Sequence, residues 1–152
     1  MAQLSKLLLV GGLMISPLSS VSAKQYVLMS APVEHQIMNI SPNGKWACGI
    51  YFDYTQASYG FRWNLESGAV ELLSTANAST AWSVANDGTV AGTFSTDKLN
   101  GKMTEVPGYY DNQGWHTVEM PGGQVNYGTG TGITPDGKAM TGYVIVDGIY
   151  RS

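Results

Sequence analysis

The sequence predicts an all-β chain built from repeated antiparallel blades, two units plus a partial third, preceded by a signal-peptide helix. Three observations predict it. Charged residues make up only 12% of the chain, against roughly 25% in ordinary soluble domains, while aromatics reach 11% and glycines number 19. A corner ending in Asn-Gly or Asp-Gly recurs three times. The first 23 residues have the layout of an export signal. Few charges with many aromatics and glycines disfavour helical bundles and disorder, and suit short strands joined by tight turns.

The export signal comes first. Lys6 gives the positive charge, Leu7 to Ile15 the apolar run, and Val21-Ser22-Ala23 the small residues at a cleavage site. Cleavage is expected between Ala23 and Lys24. This gives a signal peptide over 1–23 and a repeat region over 24–152. No later apolar stretch is long enough to span a bilayer, and no cysteine follows Ala23 to carry a lipid. The expected destination is the periplasm, the cell surface or the medium.

The repeat follows. Its copies are Ile40-Ser41-Pro42-Asn43-Gly44-Lys45-Trp46-Ala47-Cys48-Gly49, Val84-Ala85-Asn86-Asp87-Gly88-Thr89-Val90-Ala91-Gly92 and Ile133-Thr134-Pro135-Asp136-Gly137-Lys138-Ala139-Met140-Thr141-Gly142. Each is a β-branched residue, a turn, a short strand and a closing glycine; Gly49, Gly92 and Gly142 either end the strand or let a neighbouring backbone approach closely. Pro42 and Pro135 preset φ early in the turn, and Asn43, Asp87 and Asp136 bond their own backbone. The turn glycines Gly44, Gly88 and Gly137 lie 44 and 49 residues apart, within the roughly 40–50 residue period of propeller blades.

An aromatic hairpin follows each of the first two copies. Tyr59-Gly60-Phe61-Arg62-Trp63 turns at Asn64 to Gly68 and returns through Ala69 to Leu73; Gly108-Tyr109-Tyr110 turns at Asp111 to Gly114 and returns through Trp115 to Met120. The units therefore run about 37–78, 79–121 and 122–152, the last incomplete. Ser74 to Ala81 and Pro121 to Gly132 read as inter-blade connections, and Thr93 to Pro107 as a solvated loop. Tyr26 to Met29 and Gln36 to Asn39 are further strand candidates.

At these residues the chain resembles the bacterial extracellular repeat family named for its His-Ala-Phe tripeptide. Val90-Ala91-Gly92 and Phe61-Arg62-Trp63 carry the resemblance, with Tyr59-Gly60-Phe61 and Pro107-Gly108-Tyr109 in place of the tripeptide. The resemblance implies a β-propeller-like blade architecture in a secreted protein and carries over no catalytic residue. A closed propeller needs roughly 4–8 blades, so the expectation is a fragment of a longer propeller or assembly between chains, with strand edges open to self-association.

The chemistry is sparse. With 8 basic and 11 acidic residues and a formal charge of -3, the chain lacks a basic footprint for nucleic acid. His35 and His116 have no metal-ligand spacing, so neither a metal nor a cofactor is expected. Cys48, the single cysteine, reads as a small buried residue. Ser95-Thr96-Asp97-Lys98 lacks the helix that a Ser-x-x-Lys nucleophile needs, and Gly128 to Gly132 lacks the helix of a phosphate loop. Candidate ligand-binding residues are Trp82, Trp115 and Trp46, aromatic surfaces on a β framework. Trp46 and Trp115 recur with the units, which favours blade packing; Trp82 departs from the repeating frame. The expectation is a secreted, non-enzymatic binding or display module, with a glycan or a surface protein as candidate partner. The alternative is part of a propeller glycosidase or lyase acting on extracellular polysaccharide.

Overall fold

The computed structural model describes residues 35–52, 58–74, 78–99, 102–118 and 125–152. The signal at 1–23 and the strand candidate at Tyr26 to Met29 lie outside these residues. The described residues contain no helix. They form eleven strands: β1 (His35–Ile40), β2 (Trp46–Phe52), β3 (Ser58–Asn64), β4 (Val70–Leu72), β5 (Ser79–Val84), β6 (Val90–Leu99), β7 (Lys102–Asp111), β8 (Gly114–Thr117), β9 (Val125–Ile133), β10 (Met140–Val146) and β11 (Ile149–Arg151).

The strands form three antiparallel sheets, each a meander in chain order: β1-β2-β3-β4, β5-β6-β7-β8 and β9-β10-β11. The all-β expectation therefore holds. No closed barrel or propeller ring is present among the described residues.

Each recurring corner joins the first two strands of one sheet, and all three close alike. The amide of Gly44, Gly88 or Gly137 donates to the carbonyl of Ser41, Ala85 or Thr134, at 2.8, 3.2 and 2.9 Å. The amides of Ser41, Ala85 and Thr134 donate to the carbonyls of Trp46, Thr89 and Ala139. The turn glycines have φ of 71°, 90° and 72°, which an L side chain rarely adopts. Side chains stiffen the corner. The Asn43, Asp87 and Asp136 oxygens accept from the amides of Lys45, Thr89 and Lys138. Ser41 and Thr134 hydroxyls bond the acidic or amide side chain two residues on.

A second shared device precedes the corner. The pairing register skips Met38 between β1 and β2, Trp82 between β5 and β6, and Thr131 between β9 and β10. Each is a bulge two residues before the corner's β-branched residue. The bulge explains the closing glycines. A Cβ on Gly49, Gly92 or Gly142 would collide with the carbonyl oxygen of Gln36, Thr80 or Thr129 on the neighbouring strand. Of the two roles expected of these glycines, close backbone approach holds, and the strands continue past them.

Two expected loops are strands. Thr93 to Pro107 is the body of the β6–β7 hairpin, with Leu99 paired to Lys102. The charged Asp97, Lys98, Lys102 and Glu105, which suggest a solvated loop, stand on these two strands, and Thr93 and Ser95 are buried. Pro121 to Gly132, expected as a connection, contains most of β9; Ser79 to Ala81 likewise belongs to β5. The aromatic hairpins also align one residue differently. Phe61 opposes Gly49 and Gly108 opposes Gly92, so Arg62 is level with Tyr109 and Trp63 with Tyr110.

The described residues all belong to one compact unit. The second sheet lies between the other two, and the step from sheet to sheet repeats. β5 packs against β2 and β3, and β9 packs against β6 and β7. The corners also link in series. The Asn43 amide donates to Asn86 Oδ1 at 2.9 Å, and Asn43 Nδ2 donates to the Asn86 carbonyl at 3.0 Å. The Asn86 amide donates in turn to the Pro135 carbonyl at 2.9 Å.

Candidate functional site

The largest gathering of chemically capable side chains lies where the first sheet meets the second. Its floor is apolar: Cys48, Leu73, Ala81, Val84 and Val90 are buried together, with Trp46, Tyr110 and Trp115 packed against them. Burial pushes the Cys48 thiol up to about 12, outweighing the backbone hydrogen bond from Asn39. At neutral pH it is a protonated, small apolar group with little nucleophilic character.

Arg62 closes this junction. β3 holds it level with Cys48, so it faces the second sheet. Its side chain is 8% exposed and its donors reach three partners. Nε donates to Glu71 Oε2 at 2.7 Å, Nη1 to the Gly88 carbonyl at 3.1 Å and Nη2 to Asn112 Oδ1 at 3.0 Å. The guanidinium lies 5.5 Å from the Trp46 ring and 5.3 Å from the Tyr110 ring. Tyr110 donates its hydroxyl to Glu71 Oε1 at 2.8 Å. Burial first, then the Glu71 carboxylate, raises the Tyr110 phenol above its ordinary value. The arrangement pairs a buried charge with a carboxylate and fixed acceptors, as burial demands. It pins β3 of one sheet to the corner and the β7–β8 turn of the next.

The expected ligand-binding tryptophans separate into two groups. Trp46 and Trp115 meet at this junction. Trp46 lies over Gly88, where a Cβ would fall within 3 Å of the indole. Trp115 stacks on Phe94 at 4.9 Å and meets Tyr110 edge-on at 5.6 Å. Its Nε1 is buried without a partner among the described residues. Trp82 is elsewhere, half-buried at the β5 bulge. The bulge accounts for its departure from the repeating frame.

His116 is level with Glu71 of the first sheet. It stacks on Tyr109 at 4.7 Å and lies 2.9 Å from Asp111 Oδ1. The Gln113 amide, followed by His116, holds the Asp111 carboxyl below its ordinary 3.8. His35 meets Phe61 edge-on at 5.9 Å. Ser95 lies on strand β6 rather than a helix. No group of three or more potential metal ligands occurs among the described residues.

The junction of the second and third sheets is looser. Ala91, Val118 and Gly130 stand level with Cys48, Leu73 and Ala81, each one smaller, and Thr89 stands where Trp46 does. Two cavities of about 220 and 430 Å3 lie at this junction, both lined by Val118 and Met140. Sequence reading missed Arg62 as a junction residue. Its one signal was an arginine flanked by aromatics in a strand, at Phe61-Arg62-Trp63. No family model and no curated protein matches the chain.

Proposed function

We propose that this chain is an exported, non-enzymatic repeat protein whose sheets are blades of a β-propeller-like stack, and that it binds or displays rather than catalyses. One observation carries the reading: three sheets share the same bulge, corner and closing glycine, and successive sheets pack by the same step. A chain folds this way when each unit buries its face against the next copy. Among the described residues, ion-paired side chains satisfy one another: Arg62 with Glu71, His116 with Asp111 and Lys45 with Glu66. The first two pairs each lie within one sheet, Arg62 with Glu71 across β3 and β4 and His116 with Asp111 across β7 and β8, and the first is tied to the next sheet through Gly88, Asn112 and Tyr110.

Hydrogen exchange on the full chain tests the stack. The amides of Ser41, Ala85 and Thr134 should open together, because neighbouring corners are bonded in series. Independent opening of one corner at near-random rates would defeat the blade reading. Export is tested by N-terminal sequencing of secreted protein, which should begin at Lys24. Hydrolysis of a glycan or peptide library, lost on a single carboxylate substitution, would overturn the non-enzymatic assignment.

A further inference from the structure

β1, β5 and β9 are each the terminal strand of their sheet, so one backbone edge of each is unpaired within it. β5 packs against β1 on one side and β9 on the other. Each carries its bulge at the same level, occupied by Met38, Trp82 and Thr131. A bulge turns its extra residue out of the regular alternation, a device that re-aims side chains beside binding sites.

The residues around these bulges share one chemistry. β1, β5 and β9 contain no Asp, Glu, Lys or Arg. They carry neutral hydrogen-bonding groups instead: exposed Gln36 and Thr131, half-buried Asn39 and Thr80. Among them stands one indole, Trp82, half-buried and outside the aromatic cluster of the first junction. An aromatic plane beside amides and hydroxyls, with no fixed charge, matches a ligand with apolar C–H faces and many neutral hydroxyls. These three strands carry no lysine or arginine to pair with a carboxylate or sulfate and so offset its desolvation.

We propose that the row of first strands binds a neutral polysaccharide segment, with a sugar ring on Trp82 and its hydroxyls bonded by Gln36, Asn39 and Thr131. The proposal deepens the binding-module reading and rests on the blade stack. The three bulges at one level present successive positions along an extended chain, Trp82 in the centre.

The experiment uses the full chain, neutral hexasaccharides of glucose and of mannose, and an acidic hexasaccharide of galacturonate. Binding is followed by calorimetry and by tryptophan fluorescence. Thiol labelling of Cys48, buried in the first junction, reports the stack independently in the same samples. The expected result is a protected Cys48, binding of a neutral hexasaccharide only, and affinity about tenfold weaker in Trp82→Ala, the loss of one aromatic contact. Trp82→Phe should retain most of the affinity with Cys48 still protected. With Cys48 protected, failure of every neutral probe, preference for galacturonate, or indifference to Trp82→Ala overturns this proposal and leaves the stack standing. Rapid labelling of Cys48 in the native chain sinks both.

Discussion

At Gly92 one added methyl group meets the carbonyl oxygen of Thr80 across the bulge. Neither backbone can yield without breaking the ladder, so Gly92→Ala and Gly49→Ala should each cost ~1–3 kcal/mol or more in urea unfolding. Gly44 gives the contrast. A Cβ there meets nothing within 4 Å, and only its positive φ opposes substitution. Gly44→Ala should therefore cost about 1–2 kcal/mol. Arg62 is the second sensitive residue. Arg62→Ala removes the donors to Glu71, Gly88 and Asn112 together. Glu71 is itself about half exposed and can rehydrate, which limits the damage. The expected loss is about 2–3 kcal/mol. Arg62→Lys should recover only part of it, because the three donors of an ammonium sit on one nitrogen and cannot span acceptors placed around a planar guanidinium. An Arg62→Ala protein as stable as wild type would show that the guanidinium does not pin the sheets.

Among elements, the corners are the most legible, and the third of them is sensitive to acid. The Thr134 hydroxyl, then the Lys138 amide, hold the Asp136 carboxyl below its ordinary 3.8. A depressed carboxyl stabilises the fold fully above that ordinary value, and the contribution is lost as pH falls through the lower folded value. An NMR titration should place the Asp136 midpoint below 3.8 and Thr134→Val should raise it. An unchanged midpoint in the variant would remove the hydroxyl from the account. The corners were readable because their chemistry is local: a β-branched residue, an Asx side chain and a glycine at fixed offsets. β9 was not readable, because its glycines have a tertiary cause. A Cβ on Gly128 would meet Pro107 and Val144, and one on Gly130 would meet Met140 and Gly92. Glycine placed for close approach looks in sequence like glycine placed for a loop. The β6–β7 hairpin was missed although Asn100-Gly101, a strong two-residue turn signal, lies between Leu99 and Lys102. Its charged residues Asp97, Lys98, Lys102 and Glu105 point to a solvated loop, yet all four stand on β6 and β7, and Thr93 and Ser95 of the same segment are buried. Of the candidate site, the tryptophans were visible but their grouping was not, since bulges and inter-sheet contacts leave no fixed spacing.

Across the whole molecule, the two junctions differ in packing quality and should differ in response. Leu73 is 4% exposed in the filled junction. Leu73→Ala should cost ~2–5 kcal/mol by opening a cavity, and should speed labelling of Cys48. Val118 holds the level position in the loose junction beside the two cavities. Val118→Leu should add about 0.5–1 kcal/mol by filling space, read as a higher unfolding midpoint at constant slope. A destabilised Val118→Leu protein would mean that the second junction is already full. The bulges have one more effect. Fibril growth needs a flat, regular strand on which an identical segment can lay itself in register. β1, β5 and β9 each break that regularity, while the opposite borders β4, β8 and β11 have only three, four and three residues. The same irregularity that sets Trp82 outside the pairing register thus denies amyloid a template on the borders of the described sheets, and deleting Trp82 to straighten β5 should turn a quiescent chain into one that seeds thioflavin-positive aggregates.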